Sequence, residues 1–205
     1  MRTRSWTLAV VLFDEIELLD VAGPLEVFSC AGRQWNWRPF KALTVAEQAG
    51  RITTRGQLAI FAEHAFDTCA TADFLLVPGG YGARRALDNA NVLGFVKRIG
   101  ESAERILAIG NGSLLLAKAG LSAGAELSVP KDAVEALAEL DPTARAASEP
   151  PLRESGKLLS AAASGQAVTL ALSLVSKTIG VKLAAQVAAT LGLEFAEGPT
   201  KIDVV

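Results

Sequence analysis

The chain alternates short, almost unbroken apolar runs with segments whose apolar residues recur at helical spacing. Trp6 to Phe13 is rich in Val and Leu and carries no alternation. Such a run fits a strand buried on both faces, the signature of a parallel sheet. Phe40–Val45, Phe74–Val77, Ile106–Ile109 and Leu158–Ala163 read as further strands, with shorter ones at Leu58–Phe61 and Leu127–Val129. Helical spacing marks Leu25–Ala31, where Pro24 suits a first turn and Gly32 a stop. It marks Asn91–Ile99, with Val92, Phe95, Val96 and Ile99 on one face. Ser113–Ala119, Lys131–Leu140, Ala167–Ile179 and Leu183–Leu193 follow the same spacing. Polar residues 143–156 predict an exposed loop or an edge hairpin. Strands alternating with helices at this spacing imply a mostly parallel sheet covered on both faces. The absence of a linker or repeat predicts one domain over residues 1–205.

In an open α/β sheet, ligands bind at the carboxyl ends of strands. Three distinctive turns follow strands: Asp14–Asp20, Pro78–Gly82 and Gly110–Gly112. They are expected at one rim. The third lies in "RILAIGNGSLLLAKAG", a strand–tight turn–helix junction of the kind that presents a nucleophile in many α/β enzymes. Glycine at Gly110 suits the strained backbone of such an elbow and supplies no nucleophile. A plain strand–helix turn is the competing explanation. The N–H groups at the helix start are candidates to hold an anion or a carbonyl oxygen. "PGGYG" does not match the spacing of a dinucleotide fingerprint and reads as a plain turn or as backbone that approaches a ligand. Asp20 is either a helix cap or an acid–base group facing the strand ends; Glu17 is its nearby competitor.

Half of the 205 residues are hydrophobic, enough for a sizeable core. The net charge of −2 brings no basic stripe, which argues against nucleic-acid binding. The amino-terminal apolar run is broken by Asp14 and Glu15, so a buried strand is expected rather than a signal peptide. No apolar stretch approaches a membrane span. Cys30 and Cys69 read as packing residues suited to a reducing cytoplasm. The lone His64 reads as a surface residue, and no metal-ligand spacing is present. Trp35 and Trp37 are candidates for a helix edge or a subunit contact.

The order "VVLFDEIELLDVAGPLEVF", "DFLLVPGG", "ILAIGNGSLLLAKAGL", "LLSAAASGQAVTLALSLV" resembles the ThiJ/PfpI superfamily over Trp6–Leu193. That group, related to class I glutamine amidotransferases, includes isocyanide hydratases, intracellular proteases/amidases and the amino-terminal domains of AraC-type regulators. "LLDVAGPLEVF" and the "GxLLLAKAGL" helix look most like the hydratase and regulator branch. The resemblance implies a flavodoxin-like three-layer α/β/α sandwich, a homodimer, and a small-molecule pocket without a cofactor. It aligns Gly110 with the family's reactive cysteine, Asp20 with its acidic partner, and Pro130 with a histidine found in many members. Gly79 and Gly80 align with the glycine turn that lends N–H groups to the pocket. The resemblance thus implies a chain that keeps the acid and the glycine turns and lacks nucleophile and histidine: a pseudoenzyme. Gly79, Gly80, Asn111, Gly112 and Ser113 are its expected ligand-binding residues. The alternative is an enzyme in which Asp20 activates water to hydrate or hydrolyse a small electrophile. Val27 and Phe28 on the first helix are a candidate dimer surface. Too little sequence follows the last helix for a helix-turn-helix, so direct DNA reading is not expected.

Overall fold

The computed structural model describes residues 4–34, 39–147 and 149–195. In chain order the elements are β1 (Trp6–Val11), α1 (Leu18–Gln34), β2 (Phe40–Ala46), β3 (Gly50–Thr53), β4 (Ala59–Ala62), β5 (His64–Ala65), β6 (Phe74–Val77), α2 (Tyr81–Ala86) and α3 (Ala90–Ser102). There follow β7 (Arg105–Ile109), α4 (Gly112–Lys118), β8 (Glu126–Ser128), α5 (Val134–Leu140), β9 (Arg145–Ala147), β10 (Leu152–Ser155), β11 (Leu158–Ala161), α6 (Ala167–Thr178) and α7 (Val181–Thr190).

Seven strands form one sheet in the order β10-β11-β7-β6-β1-β2-β5. Every pairing in it is parallel except β10 with β11. The central strands are buried end to end: Leu8–Val11, Phe74–Val77 and Ile106–Ile109. Each large aliphatic side chain removed from water in this way contributes roughly 1.5–3 kcal/mol. Helices α1, α6 and α7 pack together, and α2 to α5 form a second group, giving an α/β/α sandwich of flavodoxin type. On α3 the buried face is Val92, Phe95, Val96 and Ile99, the stripe expected from the sequence.

The chain leaves β1 for β2 on one side, while β6 and β7 lie on the other. The strand order therefore reverses between β1 and β6, which opens a crevice at their carboxyl ends. The loop after β1 and the turn after β6 meet there: Ile16 and Gly80 form a bridge, and Gly82 N–H donates to the Glu15 carbonyl at 3.1 Å.

Several expectations need correction. Helix α1 begins at Leu18, well before Pro24, and runs past Gly32 to Gln34. Proline fits helical φ, but at this interior position it removes the hydrogen bond that residue 24 would otherwise give the Asp20 carbonyl, and its ring crowds that carbonyl, so α1 continues through Pro24 at a cost. Asp20 is therefore inside the first turn rather than ahead of the helix. Val27 and Phe28 face the core, with the Phe28 and Phe40 rings 4.8 Å apart, so they offer no dimer surface. His64 is half-buried in the edge strand β5, not free at the surface. The polar segment 143–156 holds β9 and the β10 edge strand, so of the two expectations the edge hairpin applies. Trp35 and Trp37 lie outside the described residues.

The elbow after β7 is held by close backbone approach. A Cβ on Gly112 would stand 2.3 Å from the Val77 carbonyl oxygen, whereas one on Gly110 would meet nothing nearer than 3.9 Å. Gly110 has φ of +54°, so a side chain there is opposed only by its left-handed backbone. Denaturant unfolding should show Gly110→Ala losing about 1–2 kcal/mol, and Gly112→Ala losing about 3 kcal/mol or more because backbone must move. Equal losses would contradict this account of the turn.

Candidate functional site

Asp20 projects from the first turn of α1 and is 1 % exposed. Its Oδ2 accepts a hydrogen bond from the Gly79 N–H at 2.7 Å. This bond ties α1 to the turn after β6, so the aspartate caps no end of its own helix. Glu17, the competing acid, instead pairs with Arg55 at 3.4 Å on the exposed side of the loop.

Gly79 has no room for a side chain. Its Cβ would stand 2.7 Å from the Ile109 carbonyl oxygen and 3.1 Å from both Asp20 Oδ2 and the Asn111 nitrogen. Gly80 adopts φ of +106°, and a Cβ on it would strike the Glu15 carbonyl at 2.6 Å. The ends of β6 and β7 and the start of α1 thus converge on two glycines. Gly110 adjoins them. The point its Cβ would occupy is 3.9 Å from Gly79 Cα, 4.0 Å from the Ala162 carbonyl oxygen and 4.0 Å from Pro130 Cγ. Pro130 and Ala162, after β8 and β11, complete the surroundings.

Polar groups in this cluster are incompletely paired. Asp20 Oδ1, Asn111 Oδ1 and Ser113 Oγ are buried and have no hydrogen-bond partner. Buried orphans of this kind are uncommon and call for an explanation such as a ligand. Among the described residues, nothing accepts from the backbone N–H of Gly80, Asn111 or Gly112; for the last two this is the ordinary state of a helix start. Asn111 Nδ2 reaches toward the Gly80 carbonyl at 3.5 Å. Ser113 is placed differently: its N–H donates to the Gly110 carbonyl at 3.3 Å, closing the turn, and its side chain is fully buried. Among the sequence candidates, Asp20, Gly79, Gly80, Gly110 and Asn111 cluster; Gly112 and Ser113 support the elbow from behind.

Burial pushes the Asp20 carboxyl up to about 6, with the Glu17 charge adding a little. Ser164 and the Gly79 N–H oppose the rise by favouring the carboxylate, although the Ser164 hydroxyl completes no hydrogen bond to Oδ1. Ser164 was not foreseen in the sequence; the strand-end rule applied to β11 points to it. Cys30 is on α1 with its Sγ 2.7 Å from Arg33 Nη2, and Cys69 precedes β6, at the opposite end of that strand from Gly79. Neither reaches the elbow. Among the described residues no three His, Cys, Asp or Glu side chains are grouped to hold a metal ion. No helix there is long and apolar enough to cross a membrane.

The chain belongs to the DJ-1/PfpI family, whose sequence pattern matches residues 7–177. It is 25% identical over 193 residues to an isonitrile hydratase of Pseudomonas putida, covering 92% of this chain and 78% of that one. A ThiJ/PfpI family protein from Pseudomonas syringae superposes with a TM-score of 0.84 at 24% identity, over 92% of this chain and 75% of that one. An AraC family transcriptional regulator from Pseudomonas putida gives 0.81 at 20%, over 91% and 99%. These two structures are similar in fold.

The raised Asp20 carboxyl has a consequence for stability. Its unfolded value is near 3.8. Between that pH and about 6 the folded chain holds more protons than the unfolded one, so stability falls as pH rises through this window. Asp20→Asn keeps an oxygen for Gly79 and removes the buried charge. The variant should match the parent near pH 3.5 and exceed it by up to about 3 kcal/mol above pH 7. Urea unfolding across pH 3.5–8 measures this; a difference independent of pH would contradict the assignment.

Proposed function

We propose that this protein binds a small molecule at the Asp20–Gly79–Gly110 cluster without covalent turnover. The observation that carries the reading is the juxtaposition of a buried, half-paired carboxyl with an elbow that holds glycine. Thiolate chemistry needs a thiolate at the elbow. The resemblance aligns the family's cysteine with Gly110 and its histidine with Pro130, and Cys30 and Cys69 lie elsewhere in the fold. The surrounding apparatus is kept: the acid, the glycine turn and the free N–H groups. Retained polar groups without the nucleophile favour recognition over catalysis. The same resemblance supports a homodimer and a sensing or regulatory role for the bound molecule, and the two free cysteines, Cys30 and Cys69, suit a reducing compartment.

A second reading has a specific observation behind it. A carboxyl raised to about 6 is tuned for general-base work near neutral pH. Asp20 would then deprotonate a water that attacks a small electrophile, in line with the isonitrile hydratase among the relatives. General-base action alone supplies about 10²–10⁴-fold, which ranks this reading second.

The two readings separate in a turnover assay of the purified chain on an aryl isocyanide and on methylglyoxal, with Asp20→Asn alongside. The binding reading predicts no turnover above background in either protein. Turnover in the parent that disappears in Asp20→Asn would establish the hydratase reading in its place.

A further inference from the structure

We infer that Arg84 is a positioning residue for this site: by gripping Asp132 it holds Pro130 over Gly110 and so limits the size of molecule that reaches the elbow. The inference rests on the reading of the Gly110 cluster as a ligand site and adds what governs entry to it.

The cluster lies beneath the surface. Asp20, Gly79, Gly80 and Gly110 are buried, whereas Pro130 and Ala162 are part-exposed. Pro130 Cγ and the Ala162 carbonyl oxygen are each 4.0 Å from the point a Gly110 Cβ would occupy. Solvent therefore lies on their side of the elbow, and a molecule that enters from there has to pass one of them.

These two residues are held very differently. Ala162 continues β11: its N–H donates to the Pro151 carbonyl at 3.0 Å, and the Ala161 carbonyl before it accepts from Gly110 N–H at 2.8 Å. Moving Ala162 would disturb the sheet. Pro130 has no N–H to donate. It opens the 3₁₀ turn Lys131–Ala133, and the first N–H groups of a helical turn have no partner within it. Ala133 N–H closes the turn on the Pro130 carbonyl at 2.9 Å, a bond internal to the turn. Among the described residues, the hydrogen bonds that reach residues 130–132 from outside this turn and α5 both come from Arg84. Its Nη2 donates to the Asp132 carbonyl at 3.0 Å and to Asp132 Oδ2 at 2.9 Å.

The place of Arg84 makes that grip consequential. It lies on α2, which starts directly after Gly80, and its neighbour Arg85 pairs with Glu15 at 2.7 Å in the loop after β1. Consecutive arginines thus tie the turn after β6 to both walls of the crevice. The Asp132 side chain is 75% exposed, and pairs in such surroundings are weak. The turn can therefore swing outward, and Arg84 sets how often it does. Lys131, in the same turn, is exposed and has no partner among the described residues. It brings a positive charge to the mouth without holding the turn.

The test places a reporter thiol at the elbow. The Gly110→Cys chain, with and without Arg84→Gln, is treated with N-ethylmaleimide and with the much larger N-pyrenylmaleimide, and labelling at position 110 is followed by peptide mass. Both reagents react in the same way and are uncharged, so Lys131 favours neither. Arg84→Gln should raise the pyrenyl rate relative to the ethyl rate about two- to fivefold, the change that loss of an exposed ion pair brings. Asp132→Asn should act in the same direction. The double variant should go no further than Arg84→Gln alone, because the two side chains share one interaction. An unchanged ratio, an equal rise with both reagents, or additive effects of the two substitutions would overturn the inference. Labelling needs no ligand, so these outcomes are separate from failure of the binding reading. Should Gly110→Cys not fold, hydrogen exchange in the chain that keeps Gly110 decides. The Asn111 amide, which has no acceptor among the described residues, should exchange about two- to fivefold faster in Arg84→Gln, with Leu75 and Leu107 in the central strands unchanged. An unchanged Asn111 rate, or a rise shared with those strands, would overturn the inference equally.

Discussion

One hydrogen bond organises the candidate site: the Gly79 N–H donated to Asp20 Oδ2 at 2.7 Å. It joins the first turn of α1 to the turn after β6, across the point where the strand order reverses. Everything around it follows from how little room that junction leaves. Gly79 touches the end of β7 through the Ile109 carbonyl, Gly80 lies on the Glu15 backbone, and Gly112 lies on Val77. Three strand ends approach so closely that backbone, rather than side chain, supplies most of the polar surface. Asp20 is the exception, and its burial makes its charge costly.

Stability and function pull in opposite directions at this residue. A buried carboxyl raised to about 6 weakens the fold at neutral pH. An apolar residue there would remove that cost but strand the Gly79 N–H. Keeping an acid with one free oxygen makes sense where something else completes its pairing. The Gly110 elbow has the corresponding character: its backbone is left-handed, its glycine avoids strain there, and its Cβ direction meets only ordinary contacts.

Much of the fold was legible because its central strands are buried on both faces. Leu8–Val11, Phe74–Val77 and Ile106–Ile109 need no alternation, so composition alone exposes them, and α3 declares itself through a stripe at helical spacing. The start of α1 was hidden because Pro24 looks like a first-turn residue, whereas it sits at the seventh position of this helix, where proline is disfavoured. Helix α2 was hidden because "YGARRA" has no apolar period and follows two glycines. The β5 strand has only two residues, and β3, as long as β6, holds a single large apolar side chain, Ile52, so neither carries a pattern. In the site, Asp20 and the glycine turns could be read from their places after strands. The same strand-end rule applied to β11 would have pointed to Ser164, whereas the place of Ala162 beside Gly110 arises only from the three-dimensional meeting of β11 with β7. The order of motifs carried the resemblance to the ThiJ/PfpI superfamily, and the DJ-1/PfpI match over residues 7–177 places the chain in the family.

The central claim is that Asp20 is a buried carboxyl with one oxygen held by Gly79 and the other free for a ligand. The most direct measurement is a ¹³C NMR titration of the Asp20 carboxyl in the folded protein. The account predicts a midpoint at about 6, with the Gly79 amide signal moving in step. A midpoint near 3.8, with a still Gly79 signal, would mean that the carboxyl is solvated and the site is not assembled as described.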